Sequence, residues 1–167
     1  MKTAFLLLVT LLASTAFADD PSAKKDSPNS PVYTVREYDS KRDPEQDLKR
    51  TVQVASKDGR RILLVVGGDW CAWCRRLERE FSANAEIAAV LASSYVIMKV
   101  SVSDDNGNLY FLQDYPDIDE YPHFYVLDAA GKLLHSQPNR AFERLGGYKS
   151  ASMLEFLKKW APTKSAK

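Results

Sequence analysis

The sequence predicts an α/β protein with a central mixed β-sheet flanked by helices on both faces. Two observations carry that expectation. Apolar runs of strand length alternate with segments of helical period, in the order βαβαβα and then ββα. Asp128-Ala129-Ala130-Gly131 then joins the last two strands by a turn short enough for a hairpin. Helix-linked strands therefore form a parallel core, and an antiparallel hairpin closes one edge. The 167 residues fit one domain behind an export segment, and 45% hydrophobic residues suffice for one core.

The N-terminus reads as that export segment. Lys2 supplies the positive end, and Ala4 to Ala13 form an apolar run broken only by Thr10. Ala16-Phe17-Ala18 matches the small-x-small pattern cut by signal peptidase. The run is short for a membrane span, which needs roughly 20 residues. No cysteine follows it, which argues against a lipoprotein. Residues 1–18 are thus expected to be a signal peptide, with a mature start at Asp19 and a periplasmic or secreted location. Residues 19–30, polar and carrying two prolines, read as a disordered leader. The domain then spans 31–167.

Val32 to Tyr38 is a weak first strand. Asp43 caps the first helix, Pro44 occupies its first position, and Gln46 completes the capping-box spacing. Leu48, Val52 and Ala55 share a face, and Gly59 stops the helix. Ile62 to Val66 is continuously apolar, as in a strand buried on both faces. After Gly67-Gly68-Asp69 a second helix opens at the cysteines and carries Leu77 and Phe81 inward. A helix over about 85–92, a strand over 95–102, a turn at 104–107 and a short helix over 109–114 follow. Phe124 to Leu127 and Lys132 to His135 form the hairpin. The last helix shows Met153, Phe156, Leu157 and Trp160 at i, i+3, i+4 and i+7. Phe124, Val126, Met153 and Trp160 are expected in the core.

Charge excludes one class of partner. The 23 Lys+Arg face 22 Asp+Glu, and loss of Lys2 leaves the mature chain formally neutral. No basic footprint for nucleic acid exists, and Arg75-Arg76 and Lys158-Lys159 read as solvated helix faces.

The chain has two cysteines, Cys71 and Cys74. At i and i+3 of a helix they share a face within bridging range. Their bond closes a very small loop and constrains the unfolded chain little. A reversible bond uses the pair better than a structural one. The first sulfur sits at a helix N-terminus, where free N–H groups and the dipole favour a thiolate. Cys71 is expected to be the exposed attacking thiol, with Cys74 shielded behind it as the resolving one. An inert bridge and a soft Cu(I) site are the alternatives. A structural zinc site wants four ligands, and only His123 and His135 could join the cysteines. No metal site is expected. His135 reads as a surface residue. His123 can approach the thiols or tune Cys71, although a packed strand histidine is the simpler expectation. Asp104 to Asn108 lacks the glutamate that would close a calcium loop.

The run Trp70-Cys71-Ala72-Trp73-Cys74 follows a buried strand and opens a helix, and Tyr121-Pro122 precedes the hairpin. In these features the chain resembles the thioredoxin superfamily over about residues 43–162. The resemblance implies a thioredoxin fold and a thiol–disulfide oxidoreductase with Cys71 and Cys74 as catalytic pair. Pro122 matches the family's cis-proline, beside a substrate groove of Trp70, Trp73, Tyr121 and Pro122. It implies no organic cofactor, because the dithiol is itself the redox group. Protein thiols and disulfides are the implied partners, recharged by a membrane-bound electron donor, and the chain is expected to act as a monomer. The direction it favours is reduction. A thioredoxin-fold binding module, chaperone or copper-handling, is the alternative.

Three departures stand out. Val65 occupies the place of the buried acid found in many thioredoxins. Ala72 and Trp73 replace Gly-Pro between the cysteines, and Tyr121 replaces the usual threonine before the proline. The pattern looks more like the secreted Trp-Cys-x-x-Cys proteins than like classical thioredoxin. Asp69 is expected as an exposed turn residue whose charge opposes the thiolate. Trp73, Tyr115 and Tyr121 are candidates for an apolar rim, with core packing as the competing expectation.

Overall fold

In a computed structural model of the chain, which describes residues 30–163, the run Ile62–Val66 lies at the centre of a five-stranded sheet. The expected signal peptide over 1–18, and all but the last residue of the expected leader over 19–30, lie outside the described residues. The strands are β1 (Val32–Val35), β2 (Arg61–Gly67), β3 (Tyr95–Ser101), β4 (His123–Leu127) and β5 (Leu133–Pro138). Their spatial order is β1-β3-β2-β4-β5. The first three run parallel, and β4 and β5 pair antiparallel. The expected parallel core with a hairpin edge is what forms.

Every side chain from Ile62 to Val66 is buried, each worth roughly 1.5–3 kcal/mol over exposure. Alternation sends them to two cores. Leu63 and Val65 meet α2 (Ala72–Ala83), α3 (Ala85–Ser94) and α5 (Ser150–Trp160). Ile62, Leu64 and Val66 meet α1 (Pro44–Asp58) and the short α4 (Leu109–Leu112).

Local chemistry sets the helix ends. Asp43 accepts from the N–H groups of Glu45 and Gln46, and Gly59 closes α1 in the left-handed conformation at φ 66°. Gln46 completes the cap differently from a capping box: its amide donates to the Asp43 carboxylate at 2.8 Å. The buried line of α1 is Asp47, Thr51 and Ala55, with Leu48 and Val52 half-buried beside it. Asp47 can be buried because Arg42 and Arg50 hold its carboxylate.

Two elements depart from expectation. Between β5 and α5 lies a small hairpin, β6 (Glu143–Arg144) and β7 (Gly147–Tyr148), whose two-residue strands are too short to show a period. Trp160 is not core: it is half-buried at the end of α5, stacked on His135 at 4.5 Å.

Candidate active site

Strand β2 delivers the chain to the site and ends in two glycines with a steric task. A Cβ on Gly67 would stand 2.5 Å from Cys74 Sγ, and one on Gly68 would meet the Trp70 indole and the Val102 carbonyl. The turn Gly68 to Cys71, closed by a 3.0 Å hydrogen bond from Cys71 N–H to the Gly68 carbonyl, leads directly into α2.

Cys71 is the N-cap of α2, with extended backbone. Its Sγ accepts the Cys74 N–H at 3.0 Å. The sulfur thus occupies the place of a capping oxygen, where a thiolate gains from both the free N–H and the dipole. Cys71 and Cys74 form a disulfide with Cα atoms 5.2 Å apart. The expected contrast in exposure is absent: Cys71 is 5% and Cys74 4% exposed. Neighbouring elements cover both sulfurs, so what distinguishes the two is the cap position of Cys71.

Around the disulfide the surface is aromatic. Trp70 is 58% exposed, and its Nε1 donates to the Val102 carbonyl at 2.7 Å. Its ring meets Tyr121 edge-on at 5.5 Å. Tyr121-Pro122 is a cis peptide, and Pro122 is buried. The loop before β4 therefore stands next to the residue that precedes Cys71. Half-buried Trp73 packs against Tyr148 at 5.2 Å under the Arg76 guanidinium. Tyr115 does not join this rim; it packs on Phe111 and Tyr125 in the α1-side core. From Tyr121 and Val102 a cleft of about 650 Å³ runs toward Leu109, Leu112 and Ile118.

The position expected to hold an acid is apolar. Val65 is buried and pairs with Lys99 of β3. Lys99 reaches the Glu78 carboxylate of α2 at 2.8 Å. The Tyr33 hydroxyl donates to the same carboxylate at 3.2 Å. Burial first, and then the Glu78 charge, push the Tyr33 and Tyr38 phenols well above the ordinary tyrosine range.

His123 sits elsewhere. It pairs with Val66 and shares that residue's face of the sheet, away from α2. Its Nε2 lies 2.8 Å from Ser136 Oγ, its ring packs on Tyr125, and its Nδ1 has no hydrogen-bond partner among the described residues. Burial lowers its pKa. It thus lies on the face of the sheet opposite the one that carries α2 and the thiols. Asp69 is exposed, as expected, and the Arg75 guanidinium donates to its carbonyl.

Sequence reasoning passed over Tyr148 and Asn139. The Tyr148 hydroxyl shares its proton between the Trp73 carbonyl at 3.1 Å and Asn139 Oδ1 at 2.8 Å. It thereby props the first turn of α2 from the small hairpin. Gly-Gly directly between a buried strand and the cysteines was a signal for close packing behind the disulfide; nothing comparable marked Tyr148.

A mixed sheet between two helical layers, with a two-cysteine disulfide capping a helix, defines a thioredoxin-fold thiol–disulfide protein. The model of the thioredoxin-like family matches residues 43–129, more than half of the chain, and the chain belongs to that family. Among solved structures it is similar to a disulphide isomerase from Xylella fastidiosa Temecula1, at 25% identity and TM-score 0.63, covering 73% of this chain and 94% of that one. It is also similar to DsbH oxidoreductase, at 18% identity and TM-score 0.53, covering 85% and 95%. A redox protein from Chlamydomonas reinhardtii shares the fold at 13% identity and TM-score 0.54, covering 87% of this chain and 41% of that one. No curated protein matches the sequence. At the level of the family, the chain is a thiol–disulfide oxidoreductase.

Proposed function

We propose that the protein is an exported reductase of protein disulfides in the bacterial periplasm. The observation that carries the exchange chemistry is Cys71 Sγ at the N-cap of α2, bonded to Cys74 and flanked by Trp70 and Tyr121. In the reduced protein the Cys71 thiolate attacks a substrate disulfide and forms a mixed disulfide. One substrate thiolate leaves and takes up a proton. Cys74 then attacks Cys71 Sγ, restoring the internal disulfide and releasing the second substrate thiol. Two electrons pass to the substrate, and a membrane-bound donor returns them.

Trp70, Trp73, Tyr121 and Pro122 form the wall against which substrate lies. An extended peptide beside the cis-proline loop would pair with backbone there, by strand addition. The signal-peptide pattern of residues 1–18 supports export. The likeness to secreted Trp-Cys-x-x-Cys proteins supports reduction. Asp69 acts in the same direction, because a carboxylate near Cys71 disfavours the thiolate and so favours returning electrons.

Redox titration against glutathione tests this. A reversible two-electron couple nearer the thioredoxin value of about −270 mV than the about −120 mV of a strong oxidant is expected. A potential at the oxidising end would reverse the assigned direction. Retention of a bound partner by Cys71→Ser, without any turnover, would favour the binding module.

A further inference from the structure

The resolving step needs a thiolate at Cys74, in a place that water barely reaches. Burial raises a thiol's pKa. The helix N-terminus does not solve this for Cys74, because its N–H already serves Cys71 Sγ. The next residues on its face, Leu77 and Phe81, are buried and apolar. One polar side-chain atom does reach this spot. A Cβ on Gly67 would lie 2.5 Å from Cys74 Sγ and 3.1 Å from the Tyr38 hydroxyl oxygen. Sulfur and phenol thus converge on the bare face of Gly67. The Tyr38 hydroxyl has no hydrogen-bond partner among the described residues.

The Tyr38 ring is held from behind. Lys99 Nζ lies 5.1 Å from its centroid, and Glu78 holds that ammonium. Lys99 and Glu78 thus hold the ring in place, and burial together with the Glu78 charge keeps the phenol protonated. The charged or titratable groups around Tyr38 are Glu78 of α2, Lys99 of β3, Tyr33 of β1, Tyr148 of β7 and Asp69 of the turn.

We propose, resting on the exchange chemistry above, that Tyr38 is a positioning residue for the resolving thiol. Its hydroxyl donates a hydrogen bond to Cys74 Sγ as the thiol gives up its proton. That thiolate attacks Cys71 Sγ of the mixed disulfide. The Cys71–Cys74 bond forms, the bond from Cys71 to the substrate sulfur breaks, and the departing thiolate takes up the one proton that Cys74 gave up. Cys71 and Cys74 are oxidised together by two electrons and the substrate disulfide is reduced by two. Tyr38 ends the cycle as a phenol, because its own proton is shared and never lost.

The test isolates Cys74. With Cys71→Ser the chain has one thiol, and its alkylation by iodoacetamide is followed against pH with and without Tyr38→Phe. The expected result is a higher apparent pKa for Cys74, with labelling at neutral pH slowed about 3- to 10-fold. Placing 3,5-difluorotyrosine at position 38, a stronger donor of the same shape, should shift the pKa the opposite way. This second substitution keeps the test decisive if Tyr38→Phe folds poorly. With both cysteines present, Tyr38→Phe should prolong the mixed disulfide with glutathione and leave its formation rate unchanged. Superimposable pH profiles for the tyrosine, phenylalanine and difluorotyrosine proteins would overturn the assignment. Failure of the reductase reading looks different: no turnover of protein disulfide by the wild type, with the Tyr38 effect on Cys74 intact.

Discussion

The two faces of the sheet carry buried titratable groups at the same end, and they treat them in opposite ways. On the α2 face Lys99 is paired with Glu78, Glu78 also accepts a hydrogen bond from the Tyr33 hydroxyl, and Tyr38 points at the cysteine pocket. On the α1 face His123 bonds Ser136, and its Nδ1 has no partner among the described residues. Glu78 and Lys99 hold their charges by pairing, whereas His123 is held as a base whose charge burial opposes. Only the first is assembled around sulfur. Buried polarity by itself therefore does not mark a redox site; its face of the sheet does.

The sharpest way to break this contrast is to disable one group on each face. Cys71→Ser should abolish turnover of a protein disulfide, a loss of at least about a thousandfold. His123→Gln should leave turnover within about twofold. An equal loss from both would mean that the α1 face takes part in the chemistry.

Steric tolerance should differ as well. Gly67→Ala puts a methyl against Cys74 Sγ and is expected to cost about 1–3 kcal/mol, as overpacking does. Denaturant titration of oxidised and reduced protein should place the larger loss in the oxidised form, where the disulfide prevents Sγ from turning aside. Equal losses in both redox states would point to the strand, not the sulfur, as the source of the clash.

Pairing can be weighed by a double-mutant cycle. Glu78→Gln leaves the Lys99 ammonium, itself 9% exposed, without its carboxylate. A loss near 1 kcal/mol is expected, because Glu78 is one-third exposed and water screens the pair. Adding Lys99→Met should recover part of that loss, and a coupling energy of zero would show the pair to be incidental.

The smallest effect belongs to His123. Its native pKa lies below the unfolded value of about 6.5, because burial opposes its charge. Above that pH neither state binds the proton, and the full stability is present. As pH falls below about 6.5 the unfolded chain takes up a proton that the native state refuses, and stability drops until the native pKa is reached. The slope cannot exceed about 1.4 kcal/mol per pH unit for one proton. Unfolding midpoints between about pH 7 and 5 should fall more steeply for the wild type than for His123→Gln.

Much of the fold was legible from residue order alone. Asp43, Pro44 and Gly59 bounded α1 because caps and left-handed glycines act on their own neighbours. Ile62 to Val66 announced a strand buried on both faces, since no polar residue interrupts it. The cysteine spacing placed both sulfurs on one helix face through the helical period itself. Other features escaped. The hairpin of β6 and β7 is too short to carry a period. Trp160 shares the helical spacing of Met153 and Phe156, yet it falls at the helix end where the core runs out. Leu48 and Val52 read as the buried face of α1, but the Arg42 and Arg50 cations bury Asp47 in their stead.

The sequence by itself determined the order of the five sheet strands and their helices, the ends of α1 and the redox pair, because each follows from contacts among residues a few positions apart. Tertiary structure alone decided which side chains surround that pair. His123 is next to Pro122 in the chain and yet faces away from the disulfide. Tyr38 and Lys99 are separated from the cysteines by more than 20 residues, and they stand behind them. The physical reason is register. A side chain's face depends on how its strand is aligned with strands far away in sequence, and a slip of one residue would exchange the two faces.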